Sequence, residues 1–342
     1  YMELKNKSIL ITGGTGSFGK KFLKKVLDQT DCKRIVVYSR DELKQYQILE
    51  ELKKTNTEDI EGNRVRFFIG DVRDLQRLDM AMKNIDYVVH AAALKQVPAA
   101  EYNPMECIKT NVLGAQNIID AAINNNVKKV VALSTDKAAN PVNLYGATKL
   151  ASDKLFIAAN NLSGNNDLSF SVVRYGNVFG SRGSVVPFFL DLKQQNTQIY
   201  PITDKRMTRF WITLDEGVDF VMNAFERMRG GEIFVPKIPS VKILDVLEAI
   251  DNDSNFEEVG IRPGEKLHEI MCPADESHKV IEFKDYYLIP PSIQFFSESV
   301  NYKVSKEDEK GNLVTDGFVY DSQNNNHYLT VQEIEKYIEK HL

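Results

Sequence analysis

Cysteine is scarce in this 342-residue chain. Cys32, Cys107 and Cys272 are odd in number and irregularly spaced, which fits neither a disulfide framework nor a metal knuckle. They are expected to be reduced and buried. Five scattered histidines offer no metal-ligand cluster, so no metal is expected. No apolar run approaches the roughly 20 residues of a membrane span, and the opening YMELKNKSILITGG has no cleavable signal pattern. No basic block stands out, and a formal net charge of −5 argues against nucleic acid as the main partner. With 43% hydrophobic and 27% charged residues, the chain reads as a cytoplasmic globular protein of one large domain or two modest ones.

What is present is alternation. SILIT (8–12), RIVVYS (34–39), VRFFIG (65–70), YVVHAAA (87–93), KVVALST (129–135) and FSVVRYG (170–176) are near-continuous apolar runs. Strands covered on both faces read this way. Amphipathic stretches at 17–29, 74–83 and 104–125 lie between them. Strand and helix in alternation predict an α/β fold with a doubly wound parallel sheet. The later half is less regular, with helices expected at 214–229 and 331–341. The expected division is a dinucleotide-binding domain over 1–178 and 208–236, interleaved with a smaller substrate domain over 179–207 and 237–342.

The first strand runs into TGGTGSFG, with glycines at 13, 16 and 19. Glycine lets the backbone turn tightly and approach a pyrophosphate at a helix N-terminus. A lone Gly-rich loop is weak, but this one sits at the strand–turn–helix junction that the motif requires. At the tip of the second strand an acidic side chain would select NAD through the ribose 2′-OH. Ser39 and Arg40 stand there instead, with Lys44 four residues on, and the guanidinium suits the 2′-phosphate of NADP. The competing reading is a solvated basic helix start capped by Asp41. In GDVRD, Asp71 and Val72 would flank the adenine, against a plain loop with a helix cap.

The segment STDKAANPVNLYGATK collects Thr135, Asp136, Lys137, Tyr145 and Lys149. Tyr145 and Lys149, four apart, share one helix face. A phenol with a solution pKa of about 10 needs a neighbouring ammonium to act as a base near neutrality. Thr135 can hydrogen-bond the hydroxyl that Tyr145 deprotonates. Asn111 is expected to support the site, Phe210 and Trp211 to be core, and His90 to be a satisfied core histidine.

With HAAALKQVP, KTNVLGAQN, RYGNVFGSRGSVVPFF, MTRFWITLDEG and IRPGEKLHE, these motifs resemble the extended short-chain dehydrogenase/reductase superfamily. More closely, they resemble the inverting UDP-N-acetylglucosamine 4,6-dehydratases (C6 dehydratase/C5 epimerase) that begin pseudaminic acid synthesis for flagellin glycosylation. That resemblance implies a tightly held NADP, regenerated in each cycle, on Gly13, Thr15, Gly16, Ser17, Phe18, Gly19, Ser39, Arg40, Lys44, Asp71, Val72, Ala91, Ala92, Tyr145 and Lys149. It implies UDP-GlcNAc on Lys95, Thr135, Asn177, Arg182, Arg209, Arg262 and Glu265, although each arginine could instead serve a structural ion pair. Retaining sugar-nucleotide dehydratases carry an Asp-Glu pair where Asp136-Lys137 stands here. Asp136 would then be the acid for C6 and Lys137 the base for C5. A lysine base requires a lowered pKa, expected from desolvation or from the charges of Lys149 and the cofactor. The resemblance also implies a homo-oligomer, a hexamer. The alternatives are a sugar-nucleotide epimerase or reductase, a capsule-pathway inverting dehydratase, and a non-catalytic NADP-binding regulator.

Overall fold

The computed structural model describes residues 4–163, 167–181, 184–294 and 300–341. Six expected strands form, five within a residue of their apolar runs and β4 three residues short of its run at 87–93: β1 Ser8–Thr12, β2 Arg34–Ser39, β3 Val65–Ile69, β4 Tyr87–His90, β5 Lys129–Thr135 and β6 Ser169–Tyr175. They pair in parallel in the order β3-β2-β1-β4-β5-β6. The chain thus winds outward from β1 and returns to β4, leaving a crevice at the carboxyl ends of β1 and β4 where the winding reverses. This is the expected doubly wound α/β sheet. Ile9–Ile11, Val36, Val37, Val88, Val89, Val130 and Val131 are almost wholly buried, as their unbroken apolar runs require.

The helix Ser17–Gln29 packs against Leu214–Arg227, while Leu75–Ala81, Gly114–Asn124 and Leu144–Leu162 pack in series elsewhere on the sheet. The expected helix over 104–125 forms with an irregularity. Its first turn, Pro104–Ile108, passes into a π-helical turn, Lys109–Leu113, before Gly114–Asn124. The widened turn holds Asn111, whose amide donates to the Leu94 carbonyl (2.9 Å) and Thr148 Oγ1 (3.0 Å) and accepts from the Leu94 N–H (2.8 Å). Such bulges are frequent at functional sites. Here it ties the loop after β4 to the helix carrying Tyr145, the supporting role expected of Asn111.

The sheet does not stop at the first half. Ile233–Pro236 pairs in parallel with β6, and Tyr286–Ile289, Ile281–Glu282 and Asn312–Leu313 add antiparallel strands beyond it, ten strands among the described residues. These three short strands, expected in the substrate domain, therefore extend the main sheet. Around Phe179, Phe189, Tyr200, Trp211, Val246 and Ile334 a second, smaller core forms. Trp211 lies edge-on to Phe179 (4.8 Å between ring centroids), and Phe210 belongs to the main core, so both are packing residues as expected. All three cysteines are buried and free.

Candidate active site

A cleft of about 1160 Å³ opens at the carboxyl ends of β1 and β4. It is walled on one side by the turn after β1 and on the other by Arg209 and the loop Arg262–Lys266. Gly13 adopts φ +65°, and a Cβ there would stand 2.9 Å from the Ala92 nitrogen. A Cβ on Gly19 would sit 2.4 Å from Gly14 Cα, so the helix can approach the turn only as glycine. A Cβ on Gly16 would meet only the Gly13 carbonyl, at 3.2 Å, so its other side is free for a ligand. This cradle fits a pyrophosphate. Thr15, Ser17, Phe18, Ala91 and Ala92 line the same wall.

Farther along, Ser39 accepts from Thr15 Oγ1 (3.1 Å), and Arg40, Lys44, Asp71 and Val72 line the cleft. Arg40 Nη1 lies 3.5 Å from Asp71 Oδ2 and is 56% exposed. Asp41 caps the helix Glu42–Thr55 and pairs with Lys44 Nζ at 2.6 Å. Both readings of this tip are thus present together: a capped helix start and an accessible guanidinium.

At the other end, β5 delivers Thr135, Asp136 and Lys137, the last two in a single 3₁₀ turn. Asn143 caps the next helix through the Gly146 N–H (2.7 Å), which places Tyr145 and Lys149 beneath the turn. Asp136 is wholly buried, and its Oδ1 accepts from Thr135 Oγ1 (3.0 Å) and Lys137 Nζ (3.1 Å). Oδ2 of Asp136 has no hydrogen-bond partner among the described residues. The Lys137 amine also donates to Asn177 Oδ1 (3.2 Å) and pairs with Glu269 Oε1 (3.2 Å). Three acceptors around one nitrogen match the three donors of an ammonium.

Two electrostatic expectations need correction. A lowered Lys137 pKa is not what the chain's own groups produce. Burial pushes it down, but the carboxylates of Asp136 and Glu269 outweigh burial and hold it above the ordinary lysine range. For Tyr145 the chief cation within the chain is Lys137. Burial raises that phenol to about 12, opposed chiefly by Lys137 and by a hydrogen bond with Thr135. Lys149 is itself pushed down by burial and donates to the Leu133 carbonyl at 2.7 Å. Burial raises Asp136, with Lys137 opposing.

Glu269, only 1% exposed, was not singled out in the sequence although it ends the IRPGEKLHE motif. Nothing local marks it, because the pairing of Ile270–Cys272 with Tyr320–Asp321 helps fold it back onto the Asp136 turn. Its only sequence signal is that a buried aspartate–lysine step leaves room for a second counter-charge. Lys95, Asn177, Arg209, Arg262 and Glu265 all line the cleft. Arg209 is largely engaged by its own surroundings, donating to the carbonyls of Thr208 (2.7 Å), Leu267 (3.1 Å) and Lys266 (3.0 Å) and pairing with Glu265 (3.4 Å). Arg182 lies outside the described residues.

A chain from Campylobacter jejuni named UDP-N-acetylglucosamine 4,6-dehydratase (inverting) is 57% identical over 96% of both chains. A Rickettsia conorii chain named UDP-glucose 4-epimerase is 43% identical over 83% of both. The X-ray structure of Pen from Bacillus thuringiensis superposes with a TM-score of 0.86 at 36% identity, covering 99% of this chain and 98% of that one. The family model described as polysaccharide biosynthesis protein matches residues 9–291. A match of that extent, together with these identities, places the chain in the polysaccharide biosynthesis protein family.

Proposed function

We propose that the protein is a configuration-inverting UDP-N-acetylglucosamine 4,6-dehydratase. It forms UDP-2-acetamido-2,6-dideoxy-β-L-arabino-hex-4-ulose, the first step of pseudaminic acid synthesis for flagellin glycosylation, as a cytoplasmic homohexamer that keeps its NADP. The observation that carries this reading is the Asp136–Lys137 step, an acid and an amine 3.1 Å apart beside Tyr145 in a dinucleotide-shaped cleft.

A bound nicotinamide would supply the hydride chemistry, as acceptor at C4 of the sugar and donor at C6. The chain's own groups handle the protons. Tyr145, hydrogen-bonded with Thr135, takes the C4 hydroxyl proton and leaves a 4-keto sugar. The new carbonyl acidifies C5–H. Lys137 removes that proton, the C5–H electron pair forms the C5=C6 bond, and Asp136 protonates the departing C6 hydroxyl as water. One proton moved from Lys137 Nζ to Asp136 Oδ1 creates the neutral amine and the protonated carboxyl together, without changing the charge of the site. Full burial of Asp136, with one oxygen unpartnered, favours its protonated form. Proton return to the opposite face of C5 gives the inverted product. In this arrangement Gly13, Gly16 and Gly19 would hold the pyrophosphate, Arg40 and Lys44 the 2′-phosphate, and Asp71 and Val72 the adenine, with Lys149 also lining the cofactor side. Lys95, Asn177, Arg209, Arg262 and Glu265 face the sugar nucleotide.

Relatives named as 4-epimerases favour a second reading, in which Tyr145 works alone on C4. Incubation with UDP-GlcNAc in heavy water, followed by NMR, separates the two. A new C6 methyl group with deuterium at C5 supports dehydration. UDP-GalNAc with its C6 hydroxyl intact refutes it.

A further inference from the structure

On the reading above, Lys137 must be a neutral amine that becomes an ammonium when it takes the C5 proton. At that moment Asp136 carries the proton destined for the C6 hydroxyl and is uncharged. A second anion is then needed at the amine, and one is present. Glu269 Oε1 stands 3.2 Å from Lys137 Nζ, on the loop that walls the far side of the cleft.

The carboxylate is built into place. Its backbone N–H donates to Ser322 Oγ at 2.9 Å, and its carbonyl accepts from the Ser322 N–H at 2.8 Å. Arg209 Nε lies 3.9 Å from the same Oε1. Oε2 is buried with no hydrogen-bond partner among the described residues. Burying a carboxylate oxygen without a donor is costly, and such exceptions call for a reason other than packing. A merely structural ion pair for Lys137 was already available in Asp136.

We propose that Glu269 is the positioning residue of the C5 base: it aims the Lys137 amine and stabilises the ammonium formed as the C5–H bond breaks. The bookkeeping is simple. The C5–H bond breaks and an N–H bond forms on Lys137, while the electron pair moves into the C5=C6 bond and the C6–O bond breaks toward Asp136. Positive charge appears on nitrogen 3.2 Å from an anion already in place. An aspartate orients a catalytic histidine by the same logic.

The proposal rests on the dehydratase reading, and the test separates the two. Wild-type protein that produces no C6 methyl group from UDP-GlcNAc refutes the reading itself. Given an active wild type, Glu269→Gln keeps the shape and one acceptor but removes the charge. Its kcat for dehydration and C5 deuterium exchange are expected to fall by roughly 100-fold, with KM held within about twofold. Formation of reduced nicotinamide in a single turnover, which reports C4 oxidation, persists. Both limbs of the pH–rate profile move to lower pH, because losing a negative charge beside the amine makes every proton in the cluster easier to remove. Glu269→Asp, with the charge retained, recovers part of the rate with limbs near their wild-type positions. Wild-type rate in E269Q, or a loss of rate with unmoved limbs, overturns the proposal. Should E269Q fail to fold, Glu269→Asp decides the matter through its kinetics, because it keeps the charge but withdraws it from the amine. A kcat lowered by roughly 10-fold with KM within about twofold and limbs near their wild-type positions supports the proposal, and an unchanged kcat overturns it.

Discussion

Thr12 Oγ1 and His90 Nδ1 lie 2.8 Å apart, bridging β1 and β4 at the point where the winding of the sheet reverses. The same hydroxyl oxygen accepts from the N–H groups of Ala91 (3.2 Å) and Ala92 (3.3 Å). With both lone pairs so used, its hydrogen must point at Nδ1, which makes His90 a neutral acceptor. The cleft floor at Ala91–Ala92 thus hangs on an unprotonated imidazole.

Burial, aided by Lys149, holds His90 at about 3 against an ordinary 6.5. Between those values the unfolded chain binds a proton there and the folded chain does not, so this contribution to stability is lost as pH falls through that window. Thermal melts across the window should show Tm dropping toward acid. His90→Gln, which keeps an acceptor for Thr12 and cannot titrate, should give a shallower slope. Parallel slopes would contradict the assignment.

Lys137→Ala removes the counter-charge of Asp136 and Glu269, both almost wholly buried. C5 deuterium exchange should fall by roughly 100-fold or more, with dinucleotide affinity unchanged by calorimetry. The variant should also lose roughly 3 kcal/mol of stability near neutrality. Without the amine, Asp136, already raised by burial, would rise further above its unfolded pKa, and Glu269 would lose the largest of the charges that hold it down. Such groups stabilise less as pH rises, so the deficit should widen in alkaline buffer and narrow in mild acid. Urea unfolding at two pH values measures it.

Arg40 is paired with Asp71 at 3.5 Å yet more than half exposed, and surface pairs of this kind hold about 0–1 kcal/mol. The guanidinium can therefore turn to a 2′-phosphate at little cost. Arg40→Asp should weaken NADP by roughly tenfold or more while leaving NAD nearly untouched. Equal losses for both dinucleotides in a fluorescence titration would rule out the assignment.

What the sequence made legible follows from locality. β1, β2 and β5 match their apolar runs at both ends, because a strand buried on both faces has no polar position to blur its limits. The glycine turn and the Tyr145–Lys149 pair were readable for the same reason, since each depends on residues within a few positions of one another. The π turn at Lys109–Leu113 was not readable, because one extra residue per turn barely disturbs helical periodicity. Glu269 and the raised Lys137 were hidden by distance. The group that decides the amine's charge arrives from 132 positions away along the chain, through a short strand whose partner lies farther still. Arg209 read as a substrate anchor by resemblance, but its donors are mostly held by main-chain carbonyls that no periodicity announces.

The strand Ile233–Pro236 is buried along its whole length, sandwiched between β6 and Tyr286–Ile289. A fragment ending at residue 236 would present that strand as a bare hydrogen-bonding margin with apolar flanks, an open template for intermolecular pairing. The half that carries the glycine turn is therefore not a detachable cassette. Covering that margin depends on residues beyond 280, and a truncation that spares every residue lining the cleft is expected to aggregate.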